Sequence, residues 1–139
     1  MRGAVSVPSA IAFEREVATR LWHDFPVGWI VHDVYVGEEQ IDVLAVLPQG
    51  IFAIECKAYY GELFGDPNSA WLTRTNGRTI VIALRWRNPY RQVLRKAFAI
   101  GDFLTTVTRS QNSRLHERSW IHACVVVPHT TDLGCQHYF

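Results

Sequence analysis

The run Ile41–Lys57, IDVLAVLPQGIFAIECK, constrains this chain more than any other segment. Two stretches rich in β-branched and aliphatic residues flank the turn signal Pro48–Gly50, so the run reads as two strands, Ile41–Leu47 and Ile51–Lys57. Only Asp42, Glu55 and Lys57 carry charge in it. A charge in a buried strand costs on the order of several kcal/mol unless it is paired or binds a metal. Three such charges at one sheet edge must therefore satisfy one another or a ligand.

Strand geometry places two of the three together. Glu55 and Lys57 are two residues apart and project from the same face. Lys57 is one of only two lysines among fourteen bases. An ammonium can change its protonation state where a guanidinium cannot, which singles this position out. Asp42 depends on register. If residues 47–50 form the loop, residue 46 pairs with 51 and residue 42 falls opposite 55, bringing the two carboxylates to one face. If the loop is Pro48–Gly50 alone, residue 42 falls opposite 56 and points away unless a bulge near Gly50 corrects it.

Two converging carboxylates with no sulfur ligand nearby suit a hard cation, Mg²⁺ or Mn²⁺, better than zinc. Such an ion would polarise a phosphodiester and acidify a bound water, with Lys57 orienting that water or steadying charge on the phosphate. The plainer alternative is a buried Asp/Glu–Lys ion pair that closes the sheet.

Around this hairpin the periodicities predict an α/β order. Apolar residues at Ile11, Phe13, Val17, Ala18, Leu21, Trp22 and Phe25 form a helical stripe between Ser9 and Phe25, with Ser9 as N-cap. Glu14 projects from that stripe, three residues after Ile11 and four before Ala18. Trp29–Val36 precedes the hairpin as a strand, Thr79–Leu84 follows the Asn76–Gly77 turn signal, and Trp120–Val127 makes a fifth strand. Asn88 and Pro89 supply an N-cap and an N1 proline for a second helix whose apolar positions run to Leu104. The order is αβββ, β, α, β, and its economical solution is a mixed central sheet of about five strands flanked by helices.

With 139 residues, 48% hydrophobic and 19% charged, the chain reads as one globular domain, its core over about residues 10–127 and residues 128–139 an extension or a truncated end. No stretch of about 18 apolar residues is present and the start lacks a signal-peptide core, so no membrane partner and a cytoplasmic location are expected. Cys56, Cys124 and Cys135 are too few and too scattered for a disulfide framework. The net charge of +1 hides an asymmetry. Residues 67–101 hold Arg74, Arg78, Arg85, Arg87, Arg91, Arg95 and Lys96 and no acid, a segment attractive to a polyanion or simply a solvated basic face.

The sequence from FEREVATRL through QIDVLAVLPQGIFAIECKAYYGEL to Trp71 and NPYRQ resembles the nuclease-related domain, NERD, a branch of the PD-(D/E)xK nucleases, over roughly residues 10–105. That resemblance implies a restriction-endonuclease-like core that cuts DNA with a divalent metal. It makes Asp42 and Glu55 metal ligands and Lys57 the catalytic lysine, and brings in the backbone carbonyl of Cys56 as a further ligand. It also places Glu14 at the family's helical glutamate, a further candidate ligand, and Gln92 at its helical glutamine. Periodicity agrees for Glu14. For Gln92 it does not, because the helical wheel groups Gln92 with Lys96, Ala99 and Phe103, opposite Leu94. Phe13 departs from the glycine usual before the glutamate.

Weaker signals remain. His122, Cys124, His129, Cys135 and His137 contain zinc-ligand residue types in no closed spacing, and a buried thiol is the commoner role for Cys124. His23 and His32 are single histidines near element ends. Two rival readings stand beside the DNA nuclease: a non-cleaving nucleic-acid-binding module on the same fold, part of a larger assembly, and an interaction domain built on an ion-pair network. DNA is the expected partner and RNA is compatible with it; a homodimer would let one site per chain cut both strands of a duplex, and fusion to further domains fits the abrupt end at Tyr138–Phe139.

Overall fold

The computed structural model describes residues 9–110, 120–128 and 132–133. It shows α1 (Ala10–Asp24), β1 (Trp29–Val36), β2 (Glu39–Leu47), β3 (Gly50–Cys56), β4 (Glu62–Phe64), β5 (Trp71–Thr75), β6 (Arg78–Ala83), a 3-10 turn (Arg85–Arg87), α2 (Pro89–Ser110), β7 (Ile121–Val126) and β8 (Asp132–Leu133). Ser9 caps α1 as its residue type suggests, its hydroxyl accepting the N–H of Ala12 at 3.1 Å. Asn88 caps α2, its Oδ1 accepting the N–H of Arg91 at 2.9 Å. No helix among the described residues is long and apolar enough to cross a membrane.

Strands order β1-β2-β3-β7 in a first sheet, antiparallel except for the parallel β3–β7 pair. The helices cover its two faces, as amphipathic helices must. On one face Phe13 of α1 packs with Val43, Ala45, Ile54 and Cys56. On the other, Val93, Ala97 and Ile100 of α2 pack with Ile41 and Ala53. The expected central sheet of about five strands has four, because the fourth predicted strand does not join it. That strand, β6, pairs with β5 in a second sheet ordered β6-β5-β4-β8. Asn76 and Gly77, both at positive φ, make the tight turn between β5 and β6, the conformation that suits the twist of a two-residue hairpin. The short strands β4 and β5 carry too little apolar alternation to announce themselves in the sequence.

The β2–β3 hairpin takes the register that unites the carboxylates. Val46 pairs with Ile51 and Val43 with Ile54, so position 42 lies opposite 55. Leu47 also pairs with Gly50, leaving Pro48 and Gln49 as the turn, one residue pair tighter than a loop over 47–50. Gly50 sits at φ +143°, which a side chain rarely tolerates, and a Cβ there would stand 3.2 Å from the His122 ring.

One irregularity shapes the sheet end. Asp33 lies mid-strand at φ +54°, a left-handed conformation uncommon outside glycine. The flanking pairs His32↔Val43 and Val34↔Ile41 set it opposite Asp42. Residues two apart in a regular strand share a face. Here Ile41 packs on the α2 side and Val43 on the α1 side, and β1 shows the same switch between Ile30 and Val34. The sheet is wrung at Asp33 and Asp42, so three successive residues of β2, Ile41, Asp42 and Val43, are all buried.

Candidate active site

The wrung end of the first sheet gathers the charges. Asp42 is buried, and its Oδ2 accepts the backbone N–H of Cys56 at 2.9 Å. This bond aims the carboxylate across β3. Glu55, 4% exposed, lies on the neighbouring strand with two ammonium partners. Lys57 Nζ stands 3.4 Å from its Oε1 and Lys96 Nζ donates to its Oε2 at 2.7 Å. Glu55 and Lys57 therefore do share a face. The Cys56 side chain points to the α1-side core between them, its thiol pushed up to about 12 by burial first and by the Asp42, Glu14 and Glu55 charges next. An unreactive core thiol is the result.

Glu14 reaches the same place from α1. Burial raises its carboxyl above the ordinary range, and the charge of Asp42 raises it further, while His32 lowers it. Its Oε2 lies 3.7 Å from His32 Nε2, a buried nitrogen with no hydrogen-bond partner among the described residues. Asp42 is raised too: burial is the main cause, Glu55 adds to it, and the Cys56 N–H together with Lys96 and Lys57 offsets part. Tyr59, just past Lys57, borders the cluster and is pushed up to about 12 by burial and by Glu55. Phe13, next to Glu14 in sequence, is 5% exposed and anchors α1 in the core.

Lys96 is the residue whose place the sequence did not disclose. Its sequence neighbours put it in the basic segment, yet its side chain is only 12% exposed and its ammonium sits on Glu55. The signal available was its rarity: both lysines of the chain end on the same glutamate. Gln92, one turn earlier on the same face of α2, makes no contact with the carboxylates among the described residues. Its amide donates to the carbonyl of Arg87 at 3.0 Å and so braces the 3-10 turn.

The rest of the basic segment divides. Arg74 pairs with Glu62 at 2.8 Å and Arg95 with Glu39 at 2.9 Å. Arg85 and Arg91 stand over the ring of Trp86, at 4.7 and 5.3 Å from its centre. Arg78 and Arg87 make no ion pair among the described residues. Of the imagined zinc ligands, His122 stacks on Phe52 and Cys124 lies half-buried in β7, while His129, Cys135 and His137 fall outside the described residues.

Residues 9–128 match the nuclease-related domain family, NERD. The chain belongs to that family. No curated protein and no solved structure matches it. Membership makes the function nuclease-related, and it agrees with the α/β architecture and with a nucleic-acid substrate. In this NERD domain the donor set fits a hard cation: Asp42 and Glu55 offer only oxygen, and Asp42 and Glu14, both raised by burial first, are further raised by neighbouring carboxylates that a cation would offset. Among the described residues no three His, Cys, Asp or Glu side chains converge as a metal cluster. Two side-chain carboxylates with a main-chain oxygen and water are thus the set available to an ion.

Proposed function

We propose that this domain is a metal-dependent deoxyribonuclease that hydrolyses phosphodiester bonds, with Asp42 and Glu55 holding Mg²⁺ or Mn²⁺ and Lys57 serving the attacking water. The observation that carries this reading is the juxtaposition of buried Asp42 and Glu55 with Lys57 at one wrung sheet end. Glu14 and the Cys56 carbonyl are the further candidate ligands. When bound, the ion would supply Lewis acidity toward the phosphate and a more acidic water.

The chain's own groups divide the remaining work. The Cys56 N–H fixes the rotamer of Asp42, so one oxygen is spent on orientation and the carboxylate needs little ordering on binding. Lys57, 31% exposed, is open to solvent on one side and to Glu55 on the other. It can hold a water in line with a phosphodiester and offset charge that builds on the phosphoryl oxygens. Lys96, deeper in the fold, holds the second oxygen of Glu55 and fixes the direction of that carboxylate. Gln92 acts at one remove by bracing the turn before α2.

Plasmid nicking in Mg²⁺ or Mn²⁺ by the wild-type domain and by Lys57→Ala tests the proposal. Cutting that depends on metal and falls at least about 10²-fold in the variant supports it. A second reading draws on Glu55 itself. Both of its oxygens already have ammonium partners, as in a closed ion-pair network. A domain that binds DNA in a salt-dependent way but never cuts it with any divalent ion would be the non-cleaving module instead.

A further inference from the structure

We propose that Trp86, with the guanidinium groups of Arg85 and Arg91, is a stacking platform for an unpaired nucleotide, so that this domain engages single-stranded nucleic acid or a frayed strand end in preference to a closed duplex. The inference rests on the nuclease reading above and adds a substrate class to it.

Trp86 is 69% exposed, as Trp22, Trp29 and Trp120 are to a similar degree, but of these four it is the one with guanidinium groups over its ring among the described residues. It is not loosely held. The Arg87 N–H donates to the Leu84 carbonyl at 2.9 Å, closing the 3-10 turn. Asn88, wholly buried, lies with its amide within 3.2 Å of the Arg85 carbonyl and 3.0 Å of the Ser69 carbonyl, tying that turn to the loop before β5. Gln92 braces the Arg87 carbonyl from α2. The ring is thus presented on a fixed frame, so little is lost in ordering it when a ligand stacks.

Its surroundings choose the ligand. Arg85 and Arg91 place two cations over the ring, and residues 67–101 contain no acid. The Arg91 Nε–H is buried and lacks a hydrogen-bond partner among the described residues, while another nitrogen of the same group donates to Asn68. An aromatic plane beside guanidinium planes fits a base by stacking and its phosphates by charge. Bases offer their faces only when unpaired or at a strand end, because a closed duplex hides them between neighbours.

The test is binding without cleavage. Anisotropy of a labelled oligothymidylate and of a blunt duplex of equal length is measured in EDTA with wild type, Trp86→Ala and Trp86→Phe. Wild type should favour the single strand. Trp86→Ala should weaken that strand about tenfold and the duplex by less than about twofold, whereas Trp86→Phe, which keeps a ring, should recover most of the loss. Arg85→Ala and Arg91→Ala should each make the salt dependence shallower by about 0.7 in log–log slope, and Trp86→Ala should leave it unchanged. Equal losses on both substrates, no loss on either, or wild-type preference for the duplex would overturn the proposal. Circular dichroism of Trp86→Ala guards against unfolding, which the exposed position makes unexpected. Lys57-dependent plasmid nicking with Trp86→Ala indifferent to single strands would sink the platform and spare the nuclease. Trp86-dependent binding by a domain that never cuts would do the reverse.

Discussion

Asp42 carries a tension that can be measured. Burial raises its carboxyl above the ordinary value of 3.8, with Glu55 adding to the rise. An acid whose folded value is raised contributes full stability below that ordinary value, and the contribution declines as pH climbs through the raised one. As pH rises toward neutral, Asp42 therefore weighs increasingly against the metal-free fold. Asp42→Asn keeps an oxygen for the Cys56 N–H and should stabilise the metal-free domain by on the order of 1 kcal/mol near pH 7 while abolishing metal-dependent cutting. In thermal melts the advantage should vanish at about pH 3, where both proteins are neutral at this position. A variant less stable than wild type at neutral pH would show that the carboxylate is already compensated. The two lysines should separate in the same way. Lys57, partly exposed and 3.4 Å from Glu55, should cost activity with little stability when replaced by alanine. Lys96→Met removes a buried partner at 2.7 Å and should lower stability by about 1–3 kcal/mol as well, read as a drop in the urea midpoint.

Among elements, α1 and the β3–β4 connection decide whether the site assembles. Phe13 is the most buried side chain of α1 and holds the helix that carries Glu14. Phe13→Ala should cost about 3–5 kcal/mol, and glycine, the family's usual residue here, should cost more still through helix propensity. Chemical denaturation of both variants measures this; a loss under about 1 kcal/mol would mean that α1 is held by other contacts. Gly61 turns the chain from the first sheet toward the second at φ +90°, where a Cβ would stand 2.2 Å from Thr75 Oγ1 and 2.7 Å from the Arg74 carbonyl. Gly61→Ala is expected to destabilise by about 2–4 kcal/mol, since neither the backbone angle nor the space admits it. The β4–β5 pairing it protects also sets Glu62 opposite Arg74, which gives one arginine of the basic segment an acidic partner within the fold.

For the whole molecule, the acid-free segment is less uniform than its charge suggests. Arg74 and Arg95 are tied to Glu62 and Glu39, so replacing either by alanine should change DNA affinity less than replacing Arg78 or Arg87, at under about 1 kcal/mol of stability. Titrations across salt concentration would decide, and equal effects at all four positions would mean that the ion pairs open on binding. How far the sequence alone reached follows from the range of each interaction. The caps at Ser9 and Asn88, the Asn76–Gly77 turn and the limits of β1 were legible because each depends on residues within a few positions of one another. Glu55 and Lys57 were legible together because strand alternation is local. Whether Asp42 faces them depends on which of two registers the hairpin takes, and the pairing of Val46 with Ile51 decides it. The second sheet stayed hidden for a similar reason: β4 and β5 are short, and long-range pairing rather than pattern makes them strands. Lys96 and Gln92 show the boundary most clearly. On the helical wheel both looked outward and basic or polar, but a wheel does not say what lies opposite the helix. By itself the sequence determined which residues could carry the chemistry; packing α2 against the wrung end of the sheet put Lys96 on Glu55 and left Gln92 with Arg87.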